Sequence, residues 1–233
     1  ARKLGQYKFS TGDSLLDSHL AMGFAPGQIT TIFGSSGVGK SAFALNLFSK
    51  QINKRIPTMM ISLEMDEIAT MDRLISNRKK LPSRLLQFKD DDVVDTSEQI
   101  FSVFEDGLND LIKYDKNFFL VDDPSIRLSD LELLVKEAKK RMDTEYLICT
   151  IDLLTMMSDF GSKPTEMEES MNKLNAIAKR QNIHFVCLVQ ANRSVDNVSI
   201  TTIEQIDRLR PKSLHGIKNS AAIAERSRIV LSV

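Results

Sequence analysis

Gly34-Ser-Ser-Gly-Val-Gly-Lys-Ser41 stands between a β-rich run, "GQITTIF" (27–33), and "SAFALNLFSKQIN" (41–53), whose apolar residues at 43, 44, 47, 48 and 52 have helical spacing. A glycine, four residues, then Gly-Lys-Ser, set between a strand and a helix, is the pattern of a phosphate cradle. Small residues let the backbone wrap a β-phosphate with several N–H groups pointing inward. The helix that starts near Lys40 adds the positive end of its dipole. Lys40 is expected to reach the β- and γ-phosphates, and the Ser41 hydroxyl to take a Mg²⁺ position. A nucleotide held by Gly34, Ser35, Ser36, Gly37, Val38, Gly39, Lys40 and Ser41 is therefore the expected ligand. Binding alone does not separate a kinase, a GTPase and a motor.

The rest of the chain alternates in the same way. Strands are expected at 56–63, 117–123, 145–154, 183–191 and 228–233, and helices at 65–77, 96–114, 128–142 and 166–182. Ser129 and Glu132 have the spacing of a capping box at the start of the third of these helices. Nearly continuous apolar strands alternating with amphipathic helices predict an α/β fold with a mostly parallel sheet covered on both faces. Two segments, 81–95 and 191–216, read as long polar connections, and loops of that length in a compact domain are usually functional.

Lys+Arg and Asp+Glu are equal at 31 each in 233 residues, so a nucleic-acid partner would need a local basic lining. Cys149 and Cys187 both lie in apolar runs and read as buried free thiols of a reducing compartment. No apolar run approaches the ~18 residues that span a bilayer. A cytoplasmic protein without membrane contact is expected. The chain begins at Ala1 rather than Met, which reads as a fragment of a longer protein.

A phosphate-cradle enzyme also needs a strand-end aspartate for the metal and a group that orients the attacking water. "NFFLVDD" offers Asp122 or Asp123 and has the cleaner apolar pattern. "YLICTID" offers Asp152, with Thr150 interrupting the run. Pattern alone slightly favours Asp122, and the common alternative for either carboxylate is to cap the next turn. Glu64 in "SLEM" and Gln190 in "VQANRS" end two further strands and are candidates for the phosphate side of the sheet.

In order and spacing, "GQITTIFGSSGVGKSAFALNLF", "SLEM", "IDLLTMM", "VQANRS" and "KNSAAIAERSRIVL" together resemble the ATPase domain of DnaB-type replicative helicases, across nearly the whole chain. "FSTGDSLLDSHLAMGFAPGQIT" is similar too, but RecA, RadA and KaiC relatives share that stretch. The resemblance implies a RecA-like P-loop NTPase fold over 13–233, after a linker or arm at 1–12. It implies ATP and Mg²⁺ as cofactors and hydrolysis coupled to movement along single-stranded DNA in a homohexameric ring. By the same resemblance Asp152 is the metal-site aspartate, Glu64 the catalytic glutamate, Gln190 the γ-phosphate sensor and Arg73 an arginine of the nucleotide site. Lys218, Asn219 and Ala221 fall on the family's DNA-facing stretch. Arg208, Arg210 and Lys212 in the long loop before it are further DNA-contact candidates.

Departures from the pattern mark a phage-like or divergent member. Leu153 and Thr155 replace the family's usual Tyr and Gln, and the charges of 218–228 differ at several places. Primase and loader contacts in the family belong to an N-terminal helical domain, and a C-terminal hairpin reaches a neighbour's ATP; both are expected to lie outside this sequence. Two other readings remain in view: a RecA/RadA-like recombinase, and a KaiC-like module in which ATP occupancy sets assembly.

Overall fold

The computed structural model describes residues 8–20, 23–81, 94–190 and 221–233; residues 94–99 and 221–222 are described by their backbone alone. Six strands, β1 (Gln28–Gly34), β2 (Thr58–Ser62), β3 (Phe118–Val121), β4 (Leu147–Asp152), β5 (Ile183–Gln190) and β6 (Ile229–Ser232), form one sheet. Their order is β3-β2-β4-β5-β1-β6, and every pairing is parallel. The helices are α1 (Ser14–His19), α2 (Lys40–Asn53), α3 (Glu67–Lys79), α4 (Val94–Ile112), α5 (Leu131–Met142), α6 (Pro164–Gln181) and α7 (Ala221–Arg226).

Every residue of β2 and β4 is buried, the condition that makes parallel strands apolar on both sides. Met59, Ile61, Cys149, Ile151, Phe185 and Cys187 face one layer, packed with α5, α6 and α7. Met60 turns the other way, into a cluster with Leu45, Phe48, Ile52, Leu74 and Leu111 of α2, α3 and α4. The period-2 alternation of side chains thus serves two helical layers at once. Cys149 and Cys187 are free and buried, and burial pushes both thiols well above the usual range. They are inert core groups.

One local expectation fails. α5 begins at Leu131 after Asp130, whose backbone is already helical and whose side chain makes no cap bond. The Ser129–Glu132 capping box is not formed, because Glu132 is taken up between helices. It accepts 2.6 Å from Gln181 Nε2 and 3.0 Å from Arg180, tying α5 to the end of α6. The segment 191–216 lies outside the described residues, as does most of 81–95. Phe9 exchanges backbone hydrogen bonds of 2.7 Å with Phe24 and stacks on Tyr146, so the end of the 1–12 segment is packed onto the domain. Among the described residues no helix is long and apolar enough to cross a membrane.

Candidate active site

The register of the sheet brings the strand ends together. Gly34, the last residue of β1, lies opposite Gln190 at the end of β5. Ser62 at the end of β2 lies opposite Asp152 at the end of β4. These neighbouring strands therefore deliver four chain ends to one edge of the sheet, where ligands of open α/β sheets bind.

The loop between β1 and α2 has the conformation that a phosphate cradle needs. Gly39 caps α2 in the left-handed region at φ 98°, where an L side chain is strained. At Gly34 a Cβ would come within 2.7 Å of the Val233 carbonyl and 2.8 Å of Val38 Cγ2. Ser36, Gly37 and Val38 are exposed, while Lys40 is buried and its Nζ donates to the Ser35 carbonyl at 2.6 Å. The lysine thus lies folded along the loop at the start of α2.

Asp152 is 3% exposed. Burial raises its carboxyl above the ordinary value; a hydrogen bond from Ser41 opposes this, the charge of Glu64 adds to it, and Lys40 and Arg73 oppose it again. Asp152 therefore senses the four groups that sequence reasoning associated with phosphate and metal chemistry. Its Oδ1 is buried without a hydrogen-bond partner among the described residues, and such an orphaned acceptor calls for a ligand, ion or water. The Ser41 hydroxyl and this free carboxylate oxygen are hard oxygen donors on the same side, and they suit Mg²⁺, which keeps several of its own waters.

Glu64 is exposed in the turn after β2. That turn is tied down on both sides: Leu63 N–H donates to the Asp152 carbonyl at 2.7 Å, and Ser62 Oγ donates to the Met65 carbonyl at 2.7 Å. Asp66 then caps α3 by accepting 2.7 Å from the Ala69 N–H. Arg73, on the exposed side of α3, lines a cleft of about 280 Å³ together with Ser41, Thr70, Ser76 and Asp152. Ser62 and Thr70, joined at 3.3 Å, were not singled out from sequence, although Ser62 stands two residues before Glu64.

Asp122 and Asp123 are engaged elsewhere. Asp122 Oδ2 accepts 2.8 Å from the Glu67 N–H, and Asp123 Oδ1 accepts 2.8 Å from Ser125 N–H and 2.6 Å from its hydroxyl. Burial is outweighed at Asp123, whose carboxyl is held below the usual value by these Ser125 bonds. Of the candidate DNA contacts, Lys218, Asn219, Arg208, Arg210 and Lys212 lie outside the described residues, and Ala221 is the first residue of α7.

A model of the DnaB-like helicase C-terminal domain matches residues 9–231. The chain belongs to that family. Replicative DNA helicase DnaB of Treponema pallidum (strain Nichols) is 26% identical over 233 residues, covering 95% of this chain and 47% of that protein. The Helicobacter pylori protein of the same description is 28% identical over 228 residues, covering 95% of this chain and 42% of its own length. The chain thus spans about half the length of the curated relatives it matches. A solved ATPase domain superposes with a TM-score of 0.81 at 17% identity, over 99% of this chain and 77% of that one. A DnaB-like replicative helicase, solved with regard to its interactions with primase, superposes at 0.80 and 17% identity, over 96% of this chain and 51% of that one. At such identity these two likenesses concern the fold, and the fold is RecA-like.

Proposed function

We propose that this chain is the ATP-hydrolysing motor domain of a replicative DNA helicase. The observation that carries the reading is Asp152: a buried carboxylate with one free oxygen, beside Ser41 and in electrostatic contact with Lys40, Glu64 and Arg73. ATP is the nucleotide, held by the 34–41 loop. Ser41 and Asp152 would hold Mg²⁺, which supplies positive charge to the phosphate oxygens when bound. Lys40 leaves the Ser35 carbonyl for the β- and γ-phosphates. Glu64, exposed and next to the metal side, orients the attacking water. Arg73 closes the α3 side of the cleft over the phosphates.

Gln190, beside Gly34 in the sheet, senses the γ-phosphate at the head of the 191–216 connection. Through that connection, Arg208, Arg210, Lys218, Asn219 and Ala221 hold single-stranded DNA by its phosphates. Such contacts are salt-sensitive and nearly indifferent to sequence. The working assembly is a homohexameric ring in the cytoplasm, with primase and a helicase loader as further partners. Family membership is what supports the ring, the DNA substrate and these partners.

The test is ATP hydrolysis with and without oligo(dT) at two salt concentrations. Stimulation that fades with salt is expected for both this chain and a full-length protein containing it. Hydrolysis by the full-length protein that is indifferent to DNA would overturn the motor reading and favour an assembly module.

A further inference from the structure

We infer that a second contact with single-stranded nucleic acid lies at the opposite end of the domain, on Arg55, Arg78 and Tyr114. The inference rests on the reading that this chain works on DNA, and it adds a place that this reading does not assign. The Arg55 guanidinium lies 5.7 Å and that of Arg78 5.6 Å from the centre of the Tyr114 ring. Two cations thus share one aromatic ring. Arg78 is further fixed by a 2.5 Å hydrogen bond to Asn53 Oδ1, and among the described residues its buried Nε has no partner. Among the described residues neither guanidinium has a carboxylate within salt-bridge distance, and Lys80 and Lys116 nearby in the chain are exposed.

A carboxylate would position an arginine and cancel its charge. An aromatic ring positions it and leaves the charge and most of the N–H donors available. Two carboxylates of α4 are already committed: Asp106 and Asp110 bind Lys79, and Asp110 also binds Lys113. Asp115 is the exposed carboxylate next to Tyr114. Helices α2, α3 and α4 all end here, and their dipoles favour cations in general. They do not require two guanidiniums on one ring.

Planar forks with free donors match phosphate oxygens, and guanidinium planes stack on bases. A phosphodiester strand offers both chemistries. Helix α2 has 14 residues, so this end lies about 20 Å from Lys40 along its axis. The surface is therefore separate from the nucleotide site.

The experiment is fluorescence-anisotropy binding of labelled oligo(dT) to this chain across a salt series, for the parent, Arg55→Gln and Arg55→Gln/Arg78→Gln. Arg55 is exposed, so its replacement leaves the core untouched. The slope of log K against log salt is expected to shrink by about 0.7 for the single variant and about 1.4 for the double, one neutralised phosphate each. ATP affinity and the size of the assembly should not change. A slope equal to the parent's overturns the inference, as does a loss of binding that tracks a change in assembly size. Loss of polyglutamate binding with the oligo(dT) slope intact overturns it in favour of an acidic protein partner. ATP hydrolysis in the same preparations reports on the motor reading separately: a parent that hydrolyses ATP and binds oligo(dT), with variants indistinguishable from it, sinks this inference alone.

Discussion

The carboxylate of Asp122 caps α3 from across the sheet, accepting a 2.8 Å hydrogen bond from the backbone N–H of Glu67. It sits at the end of edge strand β3, and its bond satisfies one of the free amides at the start of the helix that follows Glu64. Asp122→Ala should therefore cost about 1 kcal/mol, as the loss of a side-chain cap does, and lower the melting temperature by about 2–4 °C. Turnover should stay within a few-fold of the parent. Asp152→Asn should show the reverse, a retained melting temperature and Mg²⁺-dependent turnover reduced by about 100-fold or more. Measuring both variants by thermal melting and ATP hydrolysis decides the matter. If Asp122→Ala were inactive while folded, the metal side would have to be reassigned.

Glu64 offers a second separation, of binding from chemistry. Its side chain is exposed and makes no part of the core, so Glu64→Ala should bind ATP within a few-fold of the parent. Turnover should fall by about 10²–10⁴-fold, the range expected when a group that handles the water's proton is removed. Titration with a fluorescent ATP analogue alongside single-turnover hydrolysis would check both halves. Undiminished turnover would remove Glu64 from the mechanism.

The pair Asp122 and Asp152 also marks the limit of what the sequence makes legible. Alternating apolar runs and helical spacings anticipate the six parallel strands and most of the helices, because burial on both faces writes itself into composition. The cleaner apolar run precedes Asp122, yet β3 is a half-buried edge strand. The run before Asp152 is broken by Thr150, yet β4 is buried along its whole length, between β2 and β5. Strand order and register are long-range facts that no local pattern carries. The family resemblance points to Asp152, and its carboxylate accepts a hydrogen bond from Ser41 at the end of the 34–41 loop. Glu132 teaches the same lesson on a smaller scale: a capping box was locally plausible, but Arg180 and Gln181, distant in sequence, took the carboxylate.

Lys218 tests the strand-holding part of the proposal. Lys218→Ala should weaken oligo(dT) binding and reduce its salt slope by about 0.7, with ATP affinity unchanged. Equal losses of ATP and DNA affinity would assign this position to the nucleotide site instead.

His184 is fully buried on β5, stacked on Phe24 at 4.2 Å. The Ala25 carbonyl, 2.7 Å away, can only accept, so Nδ1 carries the proton; Nε2 accepts from the Thr30 hydroxyl at 2.8 Å. Burial lowers this imidazole to about 4, and the bond to Ala25 only partly opposes the shift. The unfolded chain, with a histidine near 6.5, therefore binds more protons than the folded one between pH 6.5 and 4. The contribution of His184 is complete above pH 6.5 and is lost as pH falls toward 4. Between pH 7 and pH 5 the loss should be about 2 kcal/mol. Urea unfolding at several pH values, compared with His184→Gln, isolates this contribution from that of the carboxylates. The variant should be less stable at pH 7 but fall less steeply on acidification, and parallel curves for the two proteins would show that His184 does not titrate on unfolding.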